Sequence, residues 1–214
     1  MSAISTARPA IPAPDEAIPD PGLALSDLYR FTVEPYERMG KLGILTEDDR
    51  VELIDGYLVT KRGKKPPHVW AVESVDLLLK ALLVGFCIRR ESPTAMPPAD
   101  ESEPNILVAR GSRLSYLARH PGPGDVVLVV EVSDTTYHRD RGKKWKANAR
   151  SGIPAYWIVN IPARRVEVYT DPTPEGYQTR RDHQAGESIP VVIDGQEVGR
   201  VAVDEILPPT PAAA

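Results

Sequence analysis

Hydrophobic positions along the chain change their period several times, and each change marks an element. From His68 the apolar residues Val69, Val72, Val75, Leu79, Leu82 and Leu83 recur at helical spacing, which predicts an amphipathic helix over 68–84. Residues 126–130 are instead an unbroken aliphatic run preceded by Gly122 and Gly124, the signature of a buried strand. Residues 156–159 (YWIV) repeat it. Between these two strands lies a polar, basic stretch stopped by Ser151-Gly152-Ile153-Pro154, and it predicts a helix over 139–150. Residues 50–60 alternate around Asp55-Gly56, a dipeptide that supplies the positive φ of a hairpin turn. A short helix over 32–39 and strands over 86–90, 106–109 and 165–170 complete the pattern. Further strands or turns are expected over 177–179, 191–193 and 198–203, with Asp194-Gly195 as a second hairpin turn. Residues 93–104, interrupted by proline and rich in acid, read as a loop. This mixture of hairpins, helices and buried strands predicts an α/β (α+β) fold with one mixed β-sheet flanked by helices.

Length and composition narrow the picture. At 214 residues the chain can build one sizeable core and is short for two. Its 22 prolines gather toward the ends, so 1–22 read as a disordered leader and 208–214 as a disordered tail. That leaves one domain over 23–207. A net charge of −4 gives no overall attraction to nucleic acid, so any such binding needs a local patch. The single cysteine, Cys87, excludes an internal disulfide and a cysteine zinc cluster, and its apolar neighbours make it a small buried hydrophobe. No run approaches the ~18 apolar residues of a membrane helix, and the first residues lack a secretory core. The expectation is a soluble, cytoplasmic protein with no membrane contact.

The chemistry concentrates in residues 126–160. The buried strand runs straight into Glu131, and an ionised carboxylate in an apolar setting is costly without a partner. A metal, a set of donors, or a salt bridge to Arg139 or Arg141 would supply one. Residues 139–150 carry Arg139, Arg141, Lys143, Lys144, Lys146 and Arg150 against one acid, Asp140. Such a run is ordinarily a solvated face, yet beside a metal site it also makes a phosphate-binding surface. The loop at 61–65 is a second basic patch. Trp145 and Trp157 read as core residues rather than platforms for bases.

Four segments in order, VELIDG, VEV, DRGKK and GIPAYWIV, resemble the Uma2 family of restriction endonucleases, a branch of the PD-(D/E)XK nuclease fold. The similarity runs from about Phe31 to Leu207. It implies a restriction-endonuclease-like core and a Mg²⁺ (or Mn²⁺)-dependent cut of DNA phosphodiester bonds. Glu131 would be the second acid of the motif and a metal ligand, Glu52 the early acid near the metal, and Lys144 the lysine displaced onto the following helix. Lys143 and Lys146 compete for that last role. Arg139, Arg141, Lys143 and Lys146 would face the DNA backbone. His68 matches a histidine that often opens the long helix, without an assigned role.

One departure matters. The family usually places an aspartate after a proline at the strand following SEP, and this chain reads Pro104-Asn105. Asparagine keeps one carbonyl ligand oxygen but removes a full negative charge, so metal affinity should fall. Glu103, two residues upstream, shares the face of an extended segment with Asn105. Asn148 and Asn160 are smaller departures. Three readings follow: a metal-dependent endonuclease, a catalytically weakened relative that binds nucleic acid or a protein, and a structural or dimerisation module. A homodimer is a further expectation, by analogy with nucleases that cut both strands.

Overall fold

A computed structural model describes residues 24–61 and 63–209; the expected leader lies outside them, as does the tail beyond Pro209. The first helix, α1 (Val33–Lys41), precedes the hairpin β1 (Val51–Ile54) and β2 (Tyr57–Thr60). Asp55 and Gly56 make its turn, both at positive φ. Gly56 is required there, because a side chain would collide with Arg30 and the Phe31 carbonyl. The turn is tied down from three sides. Gly56 N–H donates to the Ala99 carbonyl at 2.7 Å, Arg30 pairs with Asp55, and Asp55 N–H donates to Asp100 at 2.6 Å.

Helix α2 (Pro66–Leu82) follows, started by two prolines in its first turn where no amide hydrogen is needed. Ala71, Val72, Val75 and Leu79 line its buried face. Next come β3 (Cys87–Arg90), β4 (Thr94–Met96), β5 (Asp100–Ser102) and β6 (Ile106–Ala109). The expected loop over 93–104 therefore contains two short strands. Their side chains alternate between buried and half-exposed, and polar Thr94, Asp100 and Ser102 occupy the buried positions, which hid the pattern.

The central strand β7 (Val126–Ser133) is buried along its whole length. It is joined to β8 (Ala155–Asn160) by a helical crossover: α3 (Tyr137–Arg139), one π-helical turn (Asp140–Lys144) and α4 (Trp145–Arg150). The two strands are parallel, and parallel neighbours need such a crossover. Long strands β9 (Arg165–Thr173) and β10 (Gly176–Gln184), a second hairpin of β11 (Ser188–Ile193) and β12 (Gln196–Ala202), and the short α5 (Val203–Ile206) finish the chain.

Three sheets form instead of the single one expected. A six-stranded sheet has the order β10-β9-β8-β7-β6-β3, a four-stranded one β2-β1-β5-β4, and β11-β12 stand alone. The early hairpin thus belongs to a separate sheet, because it pairs with β5 rather than with the central strands. On one face of the large sheet Val108, Val130, Val132, Trp157 and Val159 pack against α2 and the β11-β12 hairpin. On the other, Leu107, Val129, Tyr156, Ile158 and Tyr169 pack with Ala149, Trp145 and Tyr177. Both tryptophans of this region are indeed packed against the core. The large sheet ends in β3 and β10, which carry Arg89-Arg90 and Arg180-Arg181. No helix among the described residues is long and apolar enough to cross a membrane.

Candidate active site

Strand alternation brings the site together. In β7, Glu131 shares a face with Val129 and so points toward the crossover helix rather than toward α2. Asn105 stands one residue before β6 and two before Leu107, which lies on that same face. Glu52 arrives from β1 in the four-stranded sheet and is buried. Lys144 closes the group from above. Its Nζ donates to Glu131 Oε1 at 3.0 Å and lies 3.3 Å from Glu52 Oε2.

The π-helical turn decides which lysine enters. One residue more per turn shifts the register of the helix relative to α3. Lys144 comes to lie buried while Lys143 and Lys146 stay exposed. Lys143 covers the ring of Tyr57 at 4.3 Å, and Arg141 stacks on Trp145 and Tyr169. Of the four cations expected to face DNA, only Arg139 lines the cleft over the site. It lies 3.5 Å from Glu52 Oε1 and donates to the Thr60 carbonyl at 3.1 Å.

Electrostatics follow from this burial. Desolvation pushes the Glu131 carboxyl up to about 7, helped by Asp140 and Glu52 and opposed by Lys144. Burial alone would lower Lys144, but Glu131, Glu52 and Asp140 outweigh it and hold the ammonium charged. The site is therefore one cation shared between carboxylates, not an isolated ion.

Asn105 is held firmly in place of the expected aspartate. Val132 N–H donates to its Oδ1 at 2.7 Å, and its Nδ2 reaches His68 Nε2 at 3.4 Å. Since an amide nitrogen only donates, the imidazole accepts there. Burial lowers the His68 pKa, in keeping with a neutral, accepting ring. Glu103 does not join the group; it pairs with Lys61 at 2.7 Å on the cleft wall. Asp140 does come close and was missed. It is buried, accepts from Ser133 Oγ at 2.7 Å and from Thr136 Oγ1, and borders the cleft. The only acid within a run of six cations was the available signal.

The cleft measures about 450 Å³. Its described walls carry nearly balanced charge: Glu47, Glu91, Glu103 and Asp134 stand with the site carboxylates against Arg50, Lys61, Lys64, Lys65 and Arg139 with Lys144. Among the described residues no group of three or more His, Cys, Asp or Glu side chains could hold a metal. Glu131 and Glu52 supply two carboxylates, and Mg²⁺ commonly takes one or two from a protein while keeping waters and substrate phosphates. The residues thus fit an ion shared with a phosphate, not an ion caged by protein alone.

The mixed six-stranded sheet with its parallel strand pair and flanking helices is a mixed α/β fold, with the acid-and-lysine cleft beside that pair. The chain belongs to the Uma2 family, described as "Putative restriction endonuclease", whose match spans residues 33–200. Among solved structures it is similar to a crystal structure described as a putative nuclease belonging to DUF820 from Anabaena variabilis. The two are 14% identical, with a TM-score of 0.61, over 82% of this chain and 97% of that one. No curated protein matches.

Proposed function

We propose that this chain is an endonuclease that acts on the DNA phosphodiester backbone in the cleft, with Mg²⁺ or Mn²⁺ as cofactor and Asn105 limiting its rate. The observation that supports it is the buried contact of Lys144 with Glu131 and Glu52 at the cleft base. Glu131 and Glu52 would hold the ion, with Asn105 beside them. The ion would supply charge neutralisation at the phosphoryl oxygens and a water of lowered pKa. A cleft with nearly balanced charge gives a phosphate little net attraction, so a divalent cation is what would tip it.

The chain's own groups have separate tasks. Lys144 places a fixed positive charge where negative charge grows on the phosphoryl oxygens. The Glu131 carboxyl, raised to about 7 by burial, would give up its proton on taking the ion. Arg139 steadies Glu52. The test is plasmid cleavage with Mg²⁺ or Mn²⁺, alongside calorimetric metal binding. The chain as it stands should nick DNA, Glu131→Ala should abolish nicking, and Asn105→Asp should raise metal affinity and rate at least tenfold. Unchanged cleavage in Glu131→Ala would refute the site.

A second reading, binding without cleavage, is favoured by the amide of Asn105. Its single ligand oxygen already accepts from Val132 N–H. It predicts salt-dependent DNA binding by the native chain, with cutting only after Asn105→Asp.

A further inference from the structure

We propose that the outer face of α2 is a two-fold interface, on which a second copy of this chain docks with its own α2 antiparallel to the first. The buried face of the helix centres on Ala71, Val75 and Leu79. Directly opposite, at seven-residue steps, stand Trp70 (52% exposed) and Leu77 (68%), continued past the last turn by Val84 (86%). A helix covered on one side and facing water on the other is expected to carry polar residues there. Large apolar groups at i and i+7 on that face instead mark a contact seam.

The charges flanking that seam identify the occupant. Glu73 and Lys80 lie on one flank of the stripe, about 60–80° from Trp70 at 100° per residue. They stand nearly symmetrically about Leu77. When two antiparallel helices meet across a two-fold axis, like flanks face each other. With Leu77 on the axis, residue 73 of one copy lies level with residue 81 of the other, within one residue of its Lys80. Glu73 then meets Lys80 of the second copy, and the symmetric pair forms at once, as a self-complementary surface requires. On the opposite flank Ser74 and Ala81 are small and permit close approach. The present partners of the two charges are local. Glu73 lies 3.5 Å from Arg90 at the surface, a pair weakly held and readily exchanged. Lys80 bonds to the buried Asp76 at 2.7 Å and keeps that bond, its ammonium having further donors for Glu73 of the second copy.

His68 lines the cleft on the core side of the same helix. The arrangement sets the two His68 residues about 27 Å apart along the shared axis, so neither cleft borrows residues from the other copy. The interface is thus independent of the proposed endonuclease activity.

The experiment uses the full chain. Light scattering and sedimentation over a concentration series should show a reversible monomer–dimer equilibrium, and Leu77→Asp should abolish the dimer. Because Leu77 sits on the axis, Leu77→Cys should form an interchain disulfide under mild oxidation; the sole native cysteine, Cys87, is buried and does not compete. Leu114→Cys, equally exposed but elsewhere, should not. Glu73→Lys or Lys80→Glu alone should weaken dimerisation at least tenfold, and the two together should restore it. A purely monomeric chain, a dimer indifferent to Leu77→Asp, or charge reversals that fail to compensate would each overturn the proposal. Circular dichroism of the variants separates lost folding from lost association.

Discussion

Lys144 is the residue on which the site turns, because its ammonium contacts both Glu131 and Glu52. Removing one partner of a buried ion pair leaves the others uncompensated, at a cost of about 3–5 kcal/mol. Lys144→Met should lower stability by that amount in urea unfolding, whereas Lys146→Met, at the surface, should change it by less than about 0.5 kcal/mol. Glu131 adds a pH dependence whose sign is fixed. Its folded pKa is raised above its ordinary 4.5 to about 7, so the folded state binds more protons in that window. Stability contributed by this group is fully present below pH 4.5 and is lost as pH rises through about 7. Glu131→Gln should remove that falling component, on the order of 3 kcal/mol, from a stability profile measured between pH 4 and 8. Glu131, Glu52 and Lys144 were legible because motifs carry them. Asp140, Asp100 and Glu167 were not. Asp100 answers Arg150 at 2.6 Å, fifty residues on. Glu167 is buried among Tyr137, Tyr169, Asn160, Arg165 and Arg180. Contacts such as Asp100 with Arg150 and Glu167 with Tyr137 join distant positions and leave no local period to read.

At the scale of elements, the crossover between β7 and β8 was foreseen as one helix and is three pieces. Hydrophobic spacing fixes that a helix is present, but a π turn adds one residue to the register without altering composition, so Lys143, Lys144 and Lys146 could not be told apart. Gly142 stands in that turn with open space around it. Deleting it should return the segment to regular α-helix and rotate everything on one side by about 100°. Lys144 would leave Glu131, and the deletion variant should keep its helical circular dichroism while losing stability and the proposed cleavage together. The short strands β4 and β5 are hidden for a related reason: polar residues fill three of their four inward positions. The division into separate sheets also escaped, since strand spacing says nothing about which edges pair.

At the scale of the whole molecule, one sheet carries both cores, and its order leaves two borders where hydrogen-bonding groups meet no further strand. On β10, nine residues long, such a border is an invitation to a neighbouring chain. Arg180, Arg181 and Asp182 answer it, as Arg89 and Arg90 do on β3. Arg181→Val combined with Arg90→Val should leave the unfolding midpoint nearly unchanged yet raise light scattering on standing at high concentration. The borders then act as guards of solubility. A protein made in a crowded cell depends on such charges to keep its extended strands from seeding cross-β deposits with copies of itself.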